Sequence, residues 1–177
     1  LRDDSREYAA LVLGGYMLGG GFLNSRLATR IRQQDGLSYG VGGSINAQSL
    51  DSVGAFNASA IYNPENLVRL EAAFSEEITR AVKDGFTAEE IEKARQGWLQ
   101  QQLQSRSGDG FLAGLLANQS VTGRTMAYND QLEKWIAALT PDQVNAAMKK
   151  YIDPNRISSV KAGDFAGHPP KPAAVIP

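Results

Sequence analysis

The sequence predicts an α+β fold: an antiparallel-rich sheet with helices packed mainly on one face. Three observations lead there. Apolar residues recur every fourth position up to about Gly36, every second position from Leu37 to Tyr62, and at helical spacing again from Leu67 onward. The alternating segments are few and the helical ones many. Helix-start signals of one design, Thr87-x-x-Glu90 and Thr140-Pro141-x-Gln143, stand ahead of two of the later helices.

The elements follow in order. Asp3 to Leu18 reads as a helix, with Asp4 as N-cap, Glu7 closing a capping box, and Tyr8, Leu11, Val12 and Leu18 as its apolar stripe. Gly14 and Gly15 weaken that helix by about 1 kcal/mol each relative to Ala, which predicts a second backbone lying close by. Gly19, Gly20 and Gly21 break it. Phe22 to Gln34 reads as a second helix with Leu23, Leu27 and Ile31 on one face, ended by Gly36 in the left-handed cap position.

Leu37, Tyr39, Val41, Gly43 and Ile45 then alternate with Ser38, Gly40, Gly42 and Ser44, the pattern of a half-buried strand. After a polar turn, Asn46 to Ser52, a second strand runs from Val53 to Tyr62, with Phe56, Ala58, Ala60 and Tyr62 on one face. The two make an antiparallel hairpin. Pro64 to Asp84 is a long amphipathic helix carrying Leu67, Leu70, Phe74, Ile78, Ala81 and Val82 inward, with Glu76 and Glu77 on the solvated side. The helix begun by Thr87 runs to about Gln104 with Ile91, Ala94, Trp98 and Leu103 inward. Phe111 to Val121 and Thr125 to Ala138 follow, and the helix begun by Thr140 ends near Tyr151, before Asp153-Pro154.

Ile157 to Ala162 reads as a short third strand. Residues 1–163 form the domain, and 164–177 form an extended tail rich in Gly, Pro, Lys and Ala. Three strands make a thin sheet. A further strand is missing, most simply from before Leu1, or the exposed sheet edge is completed by a partner, a homodimer included.

Composition narrows the function classes. The chain has 177 residues, 18 basic and 19 acidic side chains, and a formal net charge of −1. No strong field favours nucleic acid or an anionic membrane. No apolar run approaches the roughly 20 residues that span a bilayer. The absence of cysteine removes disulfides and thiolate metal sites. The opening LRDDSREY reads as the interior of something longer, so an export signal could lie upstream.

The run LGGGFLNSRLATRIRQQDGLSYGVGGS resembles the C-terminal half-domain of the pitrilysin/insulinase family of zinc metallopeptidases. The downstream order fits as well: PEN after a strand, then DGFTAEEIEKAR, then LTPDQVNAAMKKYIDPNRISSVKAGDF. The resemblance spans about Tyr8 to Phe165. It implies a LuxS/mitochondrial-processing-peptidase-like metallohydrolase half-domain lacking its N-terminal strand. Such half-domains close around an unfolded peptide. One carries zinc on an HxxEH helix, and another supplies an Arg and a Tyr that hold the peptide carbonyl. By resemblance those two are Arg32 and Tyr39 here, catalytic and substrate-binding together.

Zinc is then the cofactor of the complete enzyme, bound by a catalytic zinc-binding half-domain in the same longer chain or a separate subunit. The partners are that half and an unfolded peptide, with no nucleic acid and no membrane. The tail and the lack of cysteine resemble exported bacterial members, which places the protein in the periplasm. The alternative is a structural or assembly module of the same family that has lost catalysis.

The residues themselves limit what this chain can contribute. It has one histidine, His168, and no HxxEH or HxxxH spacing; the first helix reads Leu11-Val12-Leu13-Gly14-Gly15 where a zinc motif would stand. This chain is therefore expected to bind no metal and to be inactive alone. An Arg offers a rigid fork of N–H donors and a Tyr a neutral hydroxyl, both suited to a developing oxyanion. The plain alternatives are a cation near a helix C-terminus, where its charge is favoured anyway, and a Tyr that simply packs. Gly19-Gly20-Gly21 follows a helix, not a strand, and lacks the Lys-Ser/Thr of a phosphate loop, so it reads as a turn. The edge from Ser52 to Tyr62 could take an extended peptide by strand addition, or pair within the sheet.

Overall fold

The computed structural model describes residues 1–172. Helix α1 (Arg6–Gly15) continues through a π-bonded turn, Tyr16–Gly20, and a 3-10 turn, Phe22–Asn24, into the corner helix Ala28–Gln34, also π-bonded. The hairpin β1 (Ser38–Ala47) and β2 (Gly54–Tyr62) follows. Helices α2 (Leu67–Lys83), α3 (Ala88–Ser105), α4 (Asp109–Thr122), α5 (Met126–Ala137) and α6 (Pro141–Tyr151) complete the described fold. The class is α+β, as the sequence predicts, around a two-stranded antiparallel sheet.

Two starts match their sequence signals in detail. Thr87 caps α3 and Glu90 returns the bond; Thr140 caps α6 and Gln143 does the same, with Pro141 in the first turn. At α1 the cap is Ser5, whose Oγ accepts from the Tyr8 amide at 3.1 Å, and not Asp4. Gly36 takes φ +61° between the corner helix and β1, the left-handed position predicted for it.

The core lies between α1, the inner face of the hairpin and the helices α2, α3, α5 and α6. Leu11, Leu13, Leu18, Leu27, Ile31, Ile91, Ile136, Val144 and Met148 are fully buried there. Burying each such side chain is worth roughly 1.5–3 kcal/mol. The outer face of the hairpin (Gly40, Ser44, Asn46, Ala55, Asn57, Ser59 and Ile61) stays exposed. Gly19 is the closest helix–strand contact: a Cβ there would sit 2.6 Å from the Gly43 nitrogen. Backbone meets backbone, which no side chain permits.

Four expectations are corrected. Ile157 to Ala162 does not pair as a strand. It runs past β2 across a groove of about 510 Å³ floored by Leu67, Leu70, Phe74 and Ile78, too wide for direct strand pairing. Leu103, near the end of α3, is exposed and not inward, and Phe111 and Leu116 of α4 are exposed as well. Glu77 is buried, not solvated, and its carboxylate accepts from Arg80 Nη2 at 2.6 Å. Asp3 is no helix residue; it is buried in an ion pair. Of the tail, 173–177 lie outside the described residues. Asp164–His168 turns, and the Lys171 amide donates to the Glu65 carbonyl at 2.9 Å.

Arg124, just beyond α4, grips Asp3 with both terminal nitrogens at 2.6 Å and stacks 4.1 Å over the Tyr128 ring. Ser49 Oγ donates to the same carboxylate at 2.8 Å, and Tyr128 donates to the Asp3 carbonyl at 3.0 Å. This latch ties the start of α1, the hairpin turn and α5 together. Burial opposes ionisation of Asp3, but Arg124 and Ser49 outweigh it and hold the carboxyl below the usual carboxylate range. Its contribution is complete above the unfolded value near about 3.9 and is lost as pH falls through the lower folded value.

Two outcomes are expected from urea unfolding. Arg124→Ala costs on the order of 3 kcal/mol at neutral pH because it leaves a buried charge unpaired. The stability gap between the unaltered protein and Asp3→Asn narrows as pH drops below about 4. Separately, Gly19→Ala forces helix and strand apart and costs on the order of 3 kcal/mol, read as a drop in urea midpoint with unchanged slope.

Candidate functional site

The candidate site is the corner between the corner helix and β1. Three arginines project from residues 26–34, and two of them are committed to structure. Arg26 holds Glu90 through Nε at 2.9 Å and Nη2 at 3.0 Å, donates to the Gly85 carbonyl at 2.8 Å, and lies 4.3 Å over the Phe86 ring. Burial works against the Glu90 charge, but Arg26 and the Thr87 amide outweigh it and hold that carboxyl below its ordinary value. Arg30 lies 2.9 Å from Asp35 and 3.0 Å from Glu76. Arg32 is half-buried in the last turn and, among the described residues, has neither an ion pair nor a side-chain hydrogen bond.

The turn itself is wound wide. The Asp35 amide bonds the Arg30 carbonyl at 3.0 Å, five residues back, and the Leu37 amide bonds the Ile31 carbonyl at 2.8 Å, six back. Such π-type turns recur at functional sites, where they shift a side chain out of the regular helical phase. Leu27, Ile31 and Leu37 anchor the underside of the corner in the core.

Tyr39 stands on the strand side of the corner, and here the alternation predicted for β1 breaks. Ser38 pairs with Tyr62 and Gly40 with Ile61, so Tyr39 is an extra residue in the ladder, a bulge. Alternation places Tyr39 on the inner face with Val41 and Ile45 and puts Ser38 outside. The structure inverts both: Ser38 is buried and Tyr39 is 88% exposed, with no hydrogen-bond partner for its hydroxyl among the described residues. Bulges are devices that re-aim one side chain. Sequence reasoning missed Ser38, since a serine alternating with apolar residues reads as a solvent-facing position.

The structure therefore sets Arg32 and Tyr39 on the two sides of one short corner, Asp35 to Leu37, with no hydrogen bond joining them. Neither lines the groove beside β2, nor a second groove of about 450 Å³ between Tyr16, Gly20–Asn24 and α3. Tyr39 is presented to solvent. Among the described residues no three of His, Cys, Asp and Glu gather closely enough to hold a metal ion. His168 sits in the tail, and Leu11 to Gly15 is a buried apolar stretch without a ligand atom. A resident zinc does not fit these residues.

The family model of the peptidase M16 inactive domain matches residues 2–97, more than half of the chain. The chain belongs to that family. A crystal structure of a peptidase M16 inactive domain from Pseudomonas fluorescens is similar, at 25% identity and a TM-score of 0.73 over 87% of this chain and 36% of that one. A candidate zinc protease from Bordetella pertussis Tohama I has 19% identity and a TM-score of 0.66, covering 85% of this chain and 82% of that one. The periplasmic protease PqqL from Escherichia coli has 20% identity and a TM-score of 0.59, covering 83% and 16%. The last two likenesses establish the shared fold. The M16 chain spans about a third of the Pseudomonas fluorescens protein it matches. A comparison with curated protein sequences returns no match.

In this M16 domain neither Arg32 nor Tyr39 has a side-chain hydrogen bond or ion pair among the described residues. Arg32→Ala and Tyr39→Phe are each expected to leave the isolated domain's stability within about 0.5 kcal/mol, checked by thermal unfolding. Arg26→Ala, by contrast, leaves Glu90 and the Gly85 carbonyl without their partner and lowers the midpoint clearly.

Proposed function

We propose that this chain is the substrate-binding, non-metal half of a zinc-dependent endopeptidase that cleaves unfolded peptides in an enclosed chamber. Its site is completed by a zinc-binding half-domain, in the same longer chain or in a separate subunit. The observation that carries the reading is the pair of unspent donors at one corner: Arg32, half-buried and without a polar partner among the described residues, and Tyr39, re-aimed by the bulge and 88% exposed. Membership of the inactive-domain family supports it, and so does the small share of the Pseudomonas fluorescens chain that this one covers. The Escherichia coli relative is periplasmic, which agrees with the compartment proposed for the complete protein.

A zinc held by the other half would supply an activated water. The part played here is electrostatic. Arg32 donates N–H and Tyr39 donates O–H to the scissile carbonyl oxygen of a peptide lying across the corner. As the carbon becomes tetrahedral that oxygen gains charge, so both bonds strengthen on the way to the transition state and lower the barrier. Neither donor needs to reorganise, because neither must first break a bond within its own domain. Each such donor is worth roughly 2.7–4 kcal/mol in a water-poor site.

The domain alone is expected to cleave nothing. Joined to its zinc-binding half, it gives zinc-dependent cleavage of unfolded peptides, and Arg32→Ala then lowers kcat roughly 10²–10³-fold with the fold intact. Unchanged turnover in that variant overturns the assignment. Absence of any zinc-dependent hydrolysis by the joined protein leaves the chain as an assembly module.

A further inference from the structure

We infer that Ser38 is the positioning residue for Tyr39: its buried hydroxyl bridges the strand bulge and keeps the phenol on the open side of the corner. The inference rests on the role proposed for Tyr39 and adds the residue that gives it its direction. Ser38 is only 4% exposed. Its hydroxyl donates to the Ile61 carbonyl at 2.6 Å and accepts from the Gly40 amide at 3.1 Å. Gly40 and Ile61 are the pair that resumes the ladder just past the bulge. One oxygen atom thus bonds a backbone group on each strand at the bulge. A bulge leaves such groups unpaired, and a buried unpaired amide or carbonyl is costly. The hydroxyl removes that cost, so the bulged register is the stable one.

Geometry makes the consequence specific. In the bulged register Ser38 faces inward opposite Tyr62, and Tyr39 is the residue left over. Without the hydroxyl, the alternative that restores direct pairing absorbs the extra residue. Tyr39 then takes the helix-facing parity of Val41 and Ile45, away from any peptide. No residue of this segment has positive φ, so the bulge has no glycine conformation to hold it. The hydroxyl bridge is the device that does.

The test uses the complete enzyme, this domain with its zinc-binding half, and a double-mutant cycle. Ser38→Ala is expected to lower kcat roughly 10–100-fold, the scale of a small misplacement of a catalytic group, with KM little changed. In the Tyr39→Phe background the same substitution has no further effect, because the group it positions is gone. Ser38→Thr, which keeps the hydroxyl, restores most of the activity. An equal loss from Ser38→Ala in both backgrounds shows a merely structural serine and overturns the inference while leaving the Tyr39 role intact. No loss from Tyr39→Phe alone overturns that role, and this inference with it. If Ser38→Ala does not fold, amide exchange in the unaltered domain decides. Slowed exchange of the Gly40 amide supports the bridge, and free exchange at Gly40 refutes it.

Discussion

The approach of α1 and its π-bonded extension to β1 governs the rest of this fold. Gly19 lies against the backbone of Gly42 and Gly43, and Gly15 against Ile45. Contact this close fixes the distance between the helical layer and the sheet, and it fixes where β1 begins. The chain must leave the helix, turn, and come back along the same surface within the stretch from Gly20 to Ser38. The corner helix is what fits that span, and its wide i→i+5 winding accommodates it. Site and scaffold are therefore one piece: the glycines that allow the approach stand on both sides of the corner that presents Arg32 and Tyr39.

Around that contact the molecule uses charge as a set of fasteners, and their distribution gives the free groups their meaning. Arg26 clamps the corner helix to the start of α3, through the same Glu90 that closes the α3 capping box. Arg30 ties the corner to α2, and Arg124 ties the hairpin turn and the start of α1 to α5. Where the backbone needs holding, a guanidinium is spent in two or three bonds. Arg32, six residues beyond Arg26, is spent on none among the described residues. Pairing of this kind carries little net energy at the surface, yet leaving a partner unpaired in a buried site is expensive.

Much of this was legible in the sequence, because the signals concerned are local. The capping boxes at Thr87 and Thr140, the left-handed Gly36, the hairpin pairing and the stripe through Leu70 and Ile78 depend on neighbours within a few residues. The Arg32–Tyr39 spacing was legible too, as a pattern resembling one family. What failed was each reading that needed a distant partner. Asp3 looked like a helix start until Arg124 was seen beside it, 121 positions away. Glu77 read as solvated because periodicity does not know what packs above a helix. Leu103 read as core because an apolar side chain carries no record of whether anything covers it. Ile157 to Ala162 has strand composition, yet pairing requires an edge within hydrogen-bond reach, and a groove intervenes.

The sequence by itself determined the helices, the hairpin, their order and the turns between them, since residue chemistry and short-range periodicity suffice for these. Tertiary structure alone decided which of the corner arginines are paired and which way Tyr39 points. That last decision turns on one inserted residue: a bulge reverses the parity of every position before it, and alternation read along a single strand cannot reveal it. The bulge becomes visible only when β2 lies alongside and Ser38 bonds across to Ile61.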